Sequence, residues 1–167
     1  MERDPGKIVE SSVAEPAAPG IRYLFRIEAQ VGPPVEGGSA GGISRRMIPI
    51  IGGKVSGPAL EGVVLPGGAD WQTVRADGTS LVRARYLIRS NSGAIIEVDN
   101  PGIRRGPPEL MSRLLAGEPV DPALYYFRTA PRFTTSAPEY AFLMDFVCVC
   151  SGERRRDAAI LLVYALL

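Results

Sequence analysis

Histidine is absent from this 167-residue chain. That removes the usual general base, the commonest metal ligand and every Ser-His or Cys-His nucleophile pair. Acid–base chemistry is left to Asp, Glu, Tyr, Lys or a desolvated Cys. There are two cysteines, Cys148 and Cys150, spaced two apart in a segment that reads as a strand. Same-side neighbours in a strand are badly placed to bond to each other and supply only half of a four-ligand zinc set, so they read as two small buried apolar groups. No charge of one sign dominates: the formal net charge is +1, too little to gather nucleic acid or an anionic membrane around the molecule. Long apolar runs are missing too, since the stretch over 158–167 is only about half of what a spanning helix needs. Residues 1–20 mix charges, Pro and Ala without a continuous apolar stretch and read as a disordered tail, not a signal peptide. No dinucleotide fingerprint, P-loop or metal-ligand cluster is present, so no cofactor and no metal are expected. The expectation is a cytoplasmic protein with neither a nucleic-acid nor a membrane partner.

What the chain has instead is turn chemistry. Nineteen glycines and fifteen prolines are too many for a helical bundle and suit an all-β fold. From Ile21 to Val31 the odd positions are Ile, Tyr, Phe, Ile, Ala, Val and the even ones are mostly polar, the period of a half-buried strand. Gly32 to Gly42 reads as a flexible connection. Arg46–Ile51 and Lys54–Val64 read as extended, separated by a Gly52-Gly53 turn. Thr79–Arg89 and Ala94–Val98 form a hairpin around Asn91-Ser92-Gly93, with Arg83, Arg85 and Arg89 on one face. Pro107-Pro108-Glu109 opens a short helix near 108–116: Leu110, Met111, Leu114 and Leu115 recur at helical spacing and Gly117 stands at the C-cap. Tyr125–Thr135, Tyr140–Cys150 and Ala158–Leu166 complete the strands, Asn100-Pro101-Gly102 reads as a turn, and Arg154-Arg155-Arg156 reads as a solvated turn. Short strands without βαβ alternation predict one antiparallel barrel over 21–167, of about eight to ten strands.

The ordered turn and aromatic positions carry a resemblance. They include Arg46, Pro49-Ile50, Gly52-Gly53, Gly57-Pro58, Val64-Leu65-Pro66-Gly67-Gly68-Ala69-Asp70-Trp71-Gln72 and Ala84-Arg85-Tyr86. They continue with Asn100-Pro101-Gly102-Ile103-Arg104, Gly117-Glu118-Pro119-Val120-Asp121-Pro122, Tyr125-Tyr126-Phe127-Arg128-Thr129, Pro131-Arg132-Phe133 and Gly152-Glu153-Arg154. This pattern, spanning Ile21 to the C-terminus, resembles the DUF3237 family, also called UPF0311. The resemblance implies a calycin-like or allene-oxide-cyclase-like β-barrel, often a homodimer, with no agreed activity. The chain departs from the expected pattern at Arg83, Arg105 and Met144.

Three functions stay open. In the first, a small-molecule-binding barrel takes an anionic or oxygenated aromatic or polyketide-like compound, with Trp71, Arg85, Tyr86, Asn100, Arg104, Tyr126 and Arg128 as ligand contacts. Arginine forks match carboxylate, phosphate or enolate oxygen, and aromatic rings stack on a flat molecule. In the second, the same barrel is a cofactor-free isomerase, cyclase or lyase, with Asp70 moving a proton and arginines holding an enolate-like oxygen. In the third it is a structural module forming a homodimer, with an interior filled by side chains.

Overall fold

The computed structural model describes residues 15–167. The expectation of a disordered tail falls mostly on residues outside that range, and 15–20 carry no regular structure. Eleven strands follow in chain order: β1 (Ile21–Val31), β2 (Val35–Ala40), β3 (Ile43–Ser56), β4 (Gly62–Val64), β5 (Gly68–Arg75), β6 (Ser80–Ser90), β7 (Ile95–Arg105), β8 (Tyr126–Thr129), β9 (Arg132–Thr134), β10 (Cys148–Arg154) and β11 (Ala158–Leu166). One helix, α1 (Pro108–Leu115), and two 3-10 turns, Pro122–Leu124 and Pro138–Met144, interrupt them. Antiparallel pairing runs β1-β3-β5-β6-β7-β8-β10-β11 and returns to β1. The circuit is a closed barrel, which leaves no free edge among those strands. Among the described residues no helix is long and apolar enough to cross a membrane.

Alternation decides which side chains fill the barrel. Phe25, Ile27, Ile88, Ile96, Val98 and Val163 point inward and are 0% exposed, each contributing about 1.5–3 kcal/mol of burial. Cys148 and Cys150 are also inward, buried and unbonded. Helix α1 starts with proline in its first turn and stops where Gly117 takes φ +79°, and it buries Met111 and Leu114. A Cβ on Gly78 would lie 2.7 Å from Met111 Cβ, so the helix is packed directly on the β5–β6 turn at one end of the barrel.

Several local expectations needed correction. The segment Gly32–Gly42 contains β2, joined to β3 by a two-residue turn in which Gly41 and Gly42 take φ of +59° and +76°. A primed hairpin turn requires such angles. β2 itself has no period-two pattern to detect because it is small, polar and exposed. Gly52-Gly53 is not a turn: β3 runs through it, and a Cβ on Gly53 would stand 2.1 Å from the Glu28 carbonyl oxygen. Those glycines admit the close approach of β1, next to its register shift at Gln30/Val31. Asn100-Pro101-Gly102 likewise belongs to β7. The Pro101 carbonyl accepts from Ala130 N–H at 2.9 Å, in the gap where the neighbouring strand changes from β9 to β8. Proline's missing donor therefore falls where the ladder is already broken. The expected strand over Tyr140–Cys150 is largely the second 3-10 turn, with β10 beginning at Cys148.

Candidate functional site

The inward face changes from apolar to charged toward one end. Asp70 on β5, Ala84 on β6 and Asn100 on β7 are register partners in one row across three strands. On the opposite wall, Ala29 and Ala159 are register partners of β1 and β11. Three alanines facing one another leave a cavity of about 40 Å³, room for water-sized occupants. Val82, Tyr86, Phe127, Thr129, Arg104 and Arg154 are also among its lining residues.

Three arginines gather at this end: Arg46 on β3, Arg104 on β7 and Arg154 on β10. Their residue exposures are 8%, 2% and 8%: Arg104 is enclosed, while Arg46 and Arg154 are covered along most of the side chain and also border the space outside this end of the barrel. Arg104 donates to Ser80 Oγ at a long 3.4 Å and lies 5.6 Å from the Phe127 ring centroid. Arg154 donates to the Ala158 carbonyl at 3.1 Å, and its backbone N–H donates to the Tyr125 hydroxyl at 2.8 Å. Arg46 Nε has no partner among the described residues. Among the described residues the ion pairs are Arg26–Glu28, Arg83–Asp99, Arg85–Glu97, Arg113–Glu118 and Arg155–Glu153. None of them involves the three buried arginines.

Asp70 is the carboxylate that faces them. Its Oδ2 accepts from Gln72 Nε2 at 2.6 Å and its Oδ1 accepts from Arg83 N–H at 3.0 Å. Burial pushes its pKa up, opposed by the Gln72 hydrogen bond and then by the charge of Arg104. Burial and the neighbouring Arg154 charge push Arg104 down to about 10. Arg46 and Arg154 are also lowered, burial being the main cause for each. Glu36 and Asp157 attract Arg46 and Arg154 respectively, but both acids are exposed and solvent screens them. The buried inventory is three cations against one carboxylate whose own ionisation is disfavoured. Around it, Gln72 Oε1, Tyr86 OH, Asn100 Oδ1 and Thr129 Oγ1 are buried without a partner among the described residues. Buried polar groups rarely stay unpaired, so these atoms define a place for solvent or a ligand. Among the described residues no three His, Cys, Asp or Glu side chains group as a metal site would require.

Of the residues singled out from sequence, Asp70, Tyr86, Asn100 and Arg104 line this cavity. Trp71, Arg85, Tyr126 and Arg128 do not, because each follows or precedes an inward residue by one and so points outward. Trp71 is 61% exposed, and Arg85 pairs with Glu97 at 3.4 Å on the outer surface. Tyr126 lies between Arg105 and Arg128 at 5.1 and 5.4 Å. The three departures also lie outside: Arg83 pairs with Asp99 at 2.7 Å, Arg105 covers Tyr126, and Met144 is exposed on the second 3-10 turn. Sequence reasoning missed Arg46, Arg154, Gln72 and Thr129. Arg154 was placed in a solvated turn, yet it stands at even spacing from Cys148 and Cys150 on the inward face of β10. Arg46 has the same relation to Ile48 and Ile50 on β3.

A closed antiparallel barrel, nearly filled and arginine-rich at one end of its interior, is the class defined by these features. The chain belongs to the family described as "Protein of unknown function (DUF3237)", matched over residues 19–166. It is 47% identical over 143 residues to a UPF0311 protein of Bradyrhizobium diazoefficiens, covering 86% of this chain and 93% of that one. A crystal structure of a conserved protein of unknown function from Rhodopseudomonas palustris superposes with TM-score 0.88 at 41% identity, covering 91% of this chain and 100% of that one. A structure described as a beta-barrel like protein from Acinetobacter baumannii superposes with TM-score 0.80 at 35% identity, over 92% of this chain and 99% of that one.

Proposed function

We propose that this barrel binds a small oxygenated anion at the arginine end of its interior, with Arg104 and Arg154 answering the charge and Tyr86, Asn100 and Thr129 the remaining hydrogen-bonding positions. The observation that carries this reading is a set of three largely buried arginines, none of which forms an ion pair among the described residues. A buried cation is costly unless it is paired, and a planar oxyanion matches the guanidinium fork. The interior of about 40 Å³ is far below the ~300 Å³ typical of a site that encloses a whole organic ligand, so the interior receives a head group only. Calorimetric titration with acetate tests this reading. Saturable one-to-one heat that is lost in Arg104→Met supports it, and absence of binding up to tens of millimolar ends it.

A second reading rests on Asp70, a buried carboxyl aimed into the same cavity with its pKa raised by burial. Raised proton affinity makes its carboxylate a stronger base than a solvent-exposed one. The step it suits is removal of a proton from carbon adjacent to a carbonyl: the proton goes to Asp70, the C–H electron pair forms a C=C bond, and the carbonyl π pair moves to oxygen, giving an enolate oxygen held by Arg104. Hydrogen–deuterium exchange at C3 of 2-oxobutanoate, the methylene next to the ketone, followed by NMR in D2O, reports this directly. Asp70→Asn should abolish the catalysed exchange and retain acetate binding; unchanged exchange removes the catalytic role.

A further inference from the structure

Outside the arginine end lies a second, larger space. It is a cleft of about 720 Å³ between the Val31–Pro34 segment after β1, the last turn of α1 through Gly117, and the Arg154–Asp157 turn. Val31 and Arg154 line both this cleft and the interior cavity, so the two spaces meet at Arg154. Arg104 faces the junction from inside and Arg46 from outside. The cleft walls are apolar at Val31, Pro33, Pro34, Leu114, Leu115 and Ala116, and its charged residues are Arg46, Arg154, Arg156 and Asp157.

From this arrangement we infer that the ligand is an amphiphilic carboxylic acid, with its carboxylate at the Arg154 junction and its apolar body, an aryl ring or a short acyl chain, in the cleft against Pro33, Pro34 and Leu115. The inference rests on the interior anion site proposed above and specifies the rest of the molecule. Size separates the two parts: about 40 Å³ inside accepts a head group, whereas about 720 Å³ outside accepts a body. Charge orients the molecule, because the cleft has three arginines against one aspartate and the buried Nε of one of them, Arg46, has no partner among the described residues. The rigid rings of Pro33 and Pro34 and the half-buried Leu115 line the cleft together, an apolar lining suited to a flat or narrow apolar group.

Affinities of the full chain for acetate, 3-phenylpropanoate and 3-phenylpropan-1-ol test this by calorimetry. The expected order is 3-phenylpropanoate at least tenfold tighter than acetate and at least tenfold tighter than the alcohol. Leu115→Asn should erase the advantage of the phenyl group and leave acetate unchanged. Pro34→Ser, at an exposed position, gives a second reading of the same effect if the helix variant folds poorly. Equal affinity for acetate and 3-phenylpropanoate overturns the cleft assignment while the interior anion site stands. An alcohol as tight as the acid overturns the carboxylate assignment. Failure of both acids to bind overturns the interior site itself.

Discussion

Replacing Arg104 with methionine should stabilise the protein, although it removes a buried, polar side chain. The reason is electrostatic. Its pKa falls from 12.5 to about 10, which corresponds to a cost of roughly 3 kcal/mol for holding the charge in the folded state at 1.36 kcal/mol per pH unit. Methionine keeps the apolar stem and removes that cost. Against this stands a 3.4 Å hydrogen bond to Ser80 and a ring contact with Phe127 at 5.6 Å, together worth about 1–2 kcal/mol. The net gain is about 1–2 kcal/mol, or roughly 2–8 °C in Tm for a chain of this size. Urea titration at pH 7 without added anion measures it. The cost of the depressed cation is fully present below about pH 10. It disappears as pH rises toward 12.5, because the folded state releases its proton before the unfolded chain does. The variant's advantage should therefore shrink above about pH 10. A loss of about 3–5 kcal/mol, typical of breaking a buried ion pair, would refute the reasoning and make Arg104 a structural pairing residue.

Other substitutions separate the same alternatives. Because burial raises Asp70 above its unfolded value of 3.8, the native state binds that proton more tightly. The wild type should then lose stability as pH rises from 3.8 through the raised value. Asp70→Asn should lack this slope, equal wild type near pH 3 and exceed it at pH 7 in thermal melts; its amide keeps both hydrogen bonds if Gln72 turns its unpartnered Oε1 toward it. Ala84→Leu fills a cavity of about 40 Å³, a gain of about 1 kcal/mol, but strips Tyr86, Asn100 and Thr129 of partners at about 1–3 kcal/mol each. It should lose about 2–8 kcal/mol and all acetate binding; a gain in stability would show a dry interior. Trp71→Ala, on the outer face, should change acetate affinity less than twofold by calorimetry.

The barrel was legible where alternation was strong. β1 and the β6–β7 hairpin follow from period-two patterns with clear turns, β11 from an apolar run too short for a spanning helix, and α1 from its proline start and Gly117 stop. Legibility failed where glycine or proline had a packing reason: Gly53 and Gly102 are required by strands that approach closely, yet in the sequence they look like turns. The site failed differently. Naming Asp70 with Trp71, and Arg85 with Tyr86, ignored the rule that strand neighbours face opposite ways, while the same rule applied to Arg46 and Arg154 would have drawn them inside. No local pattern could reveal that three arginines from β3, β7 and β10 converge, because only barrel closure brings those strands to one end.

The crystal structure of the protein grown with acetate, at a concentration that saturates it in solution, tests the central claim most directly. The expected result is planar acetate density between the Arg104 and Arg154 guanidiniums, within hydrogen-bonding distance of at least one of them. An interior holding only water, with acetate ordered elsewhere or nowhere, would contradict the account.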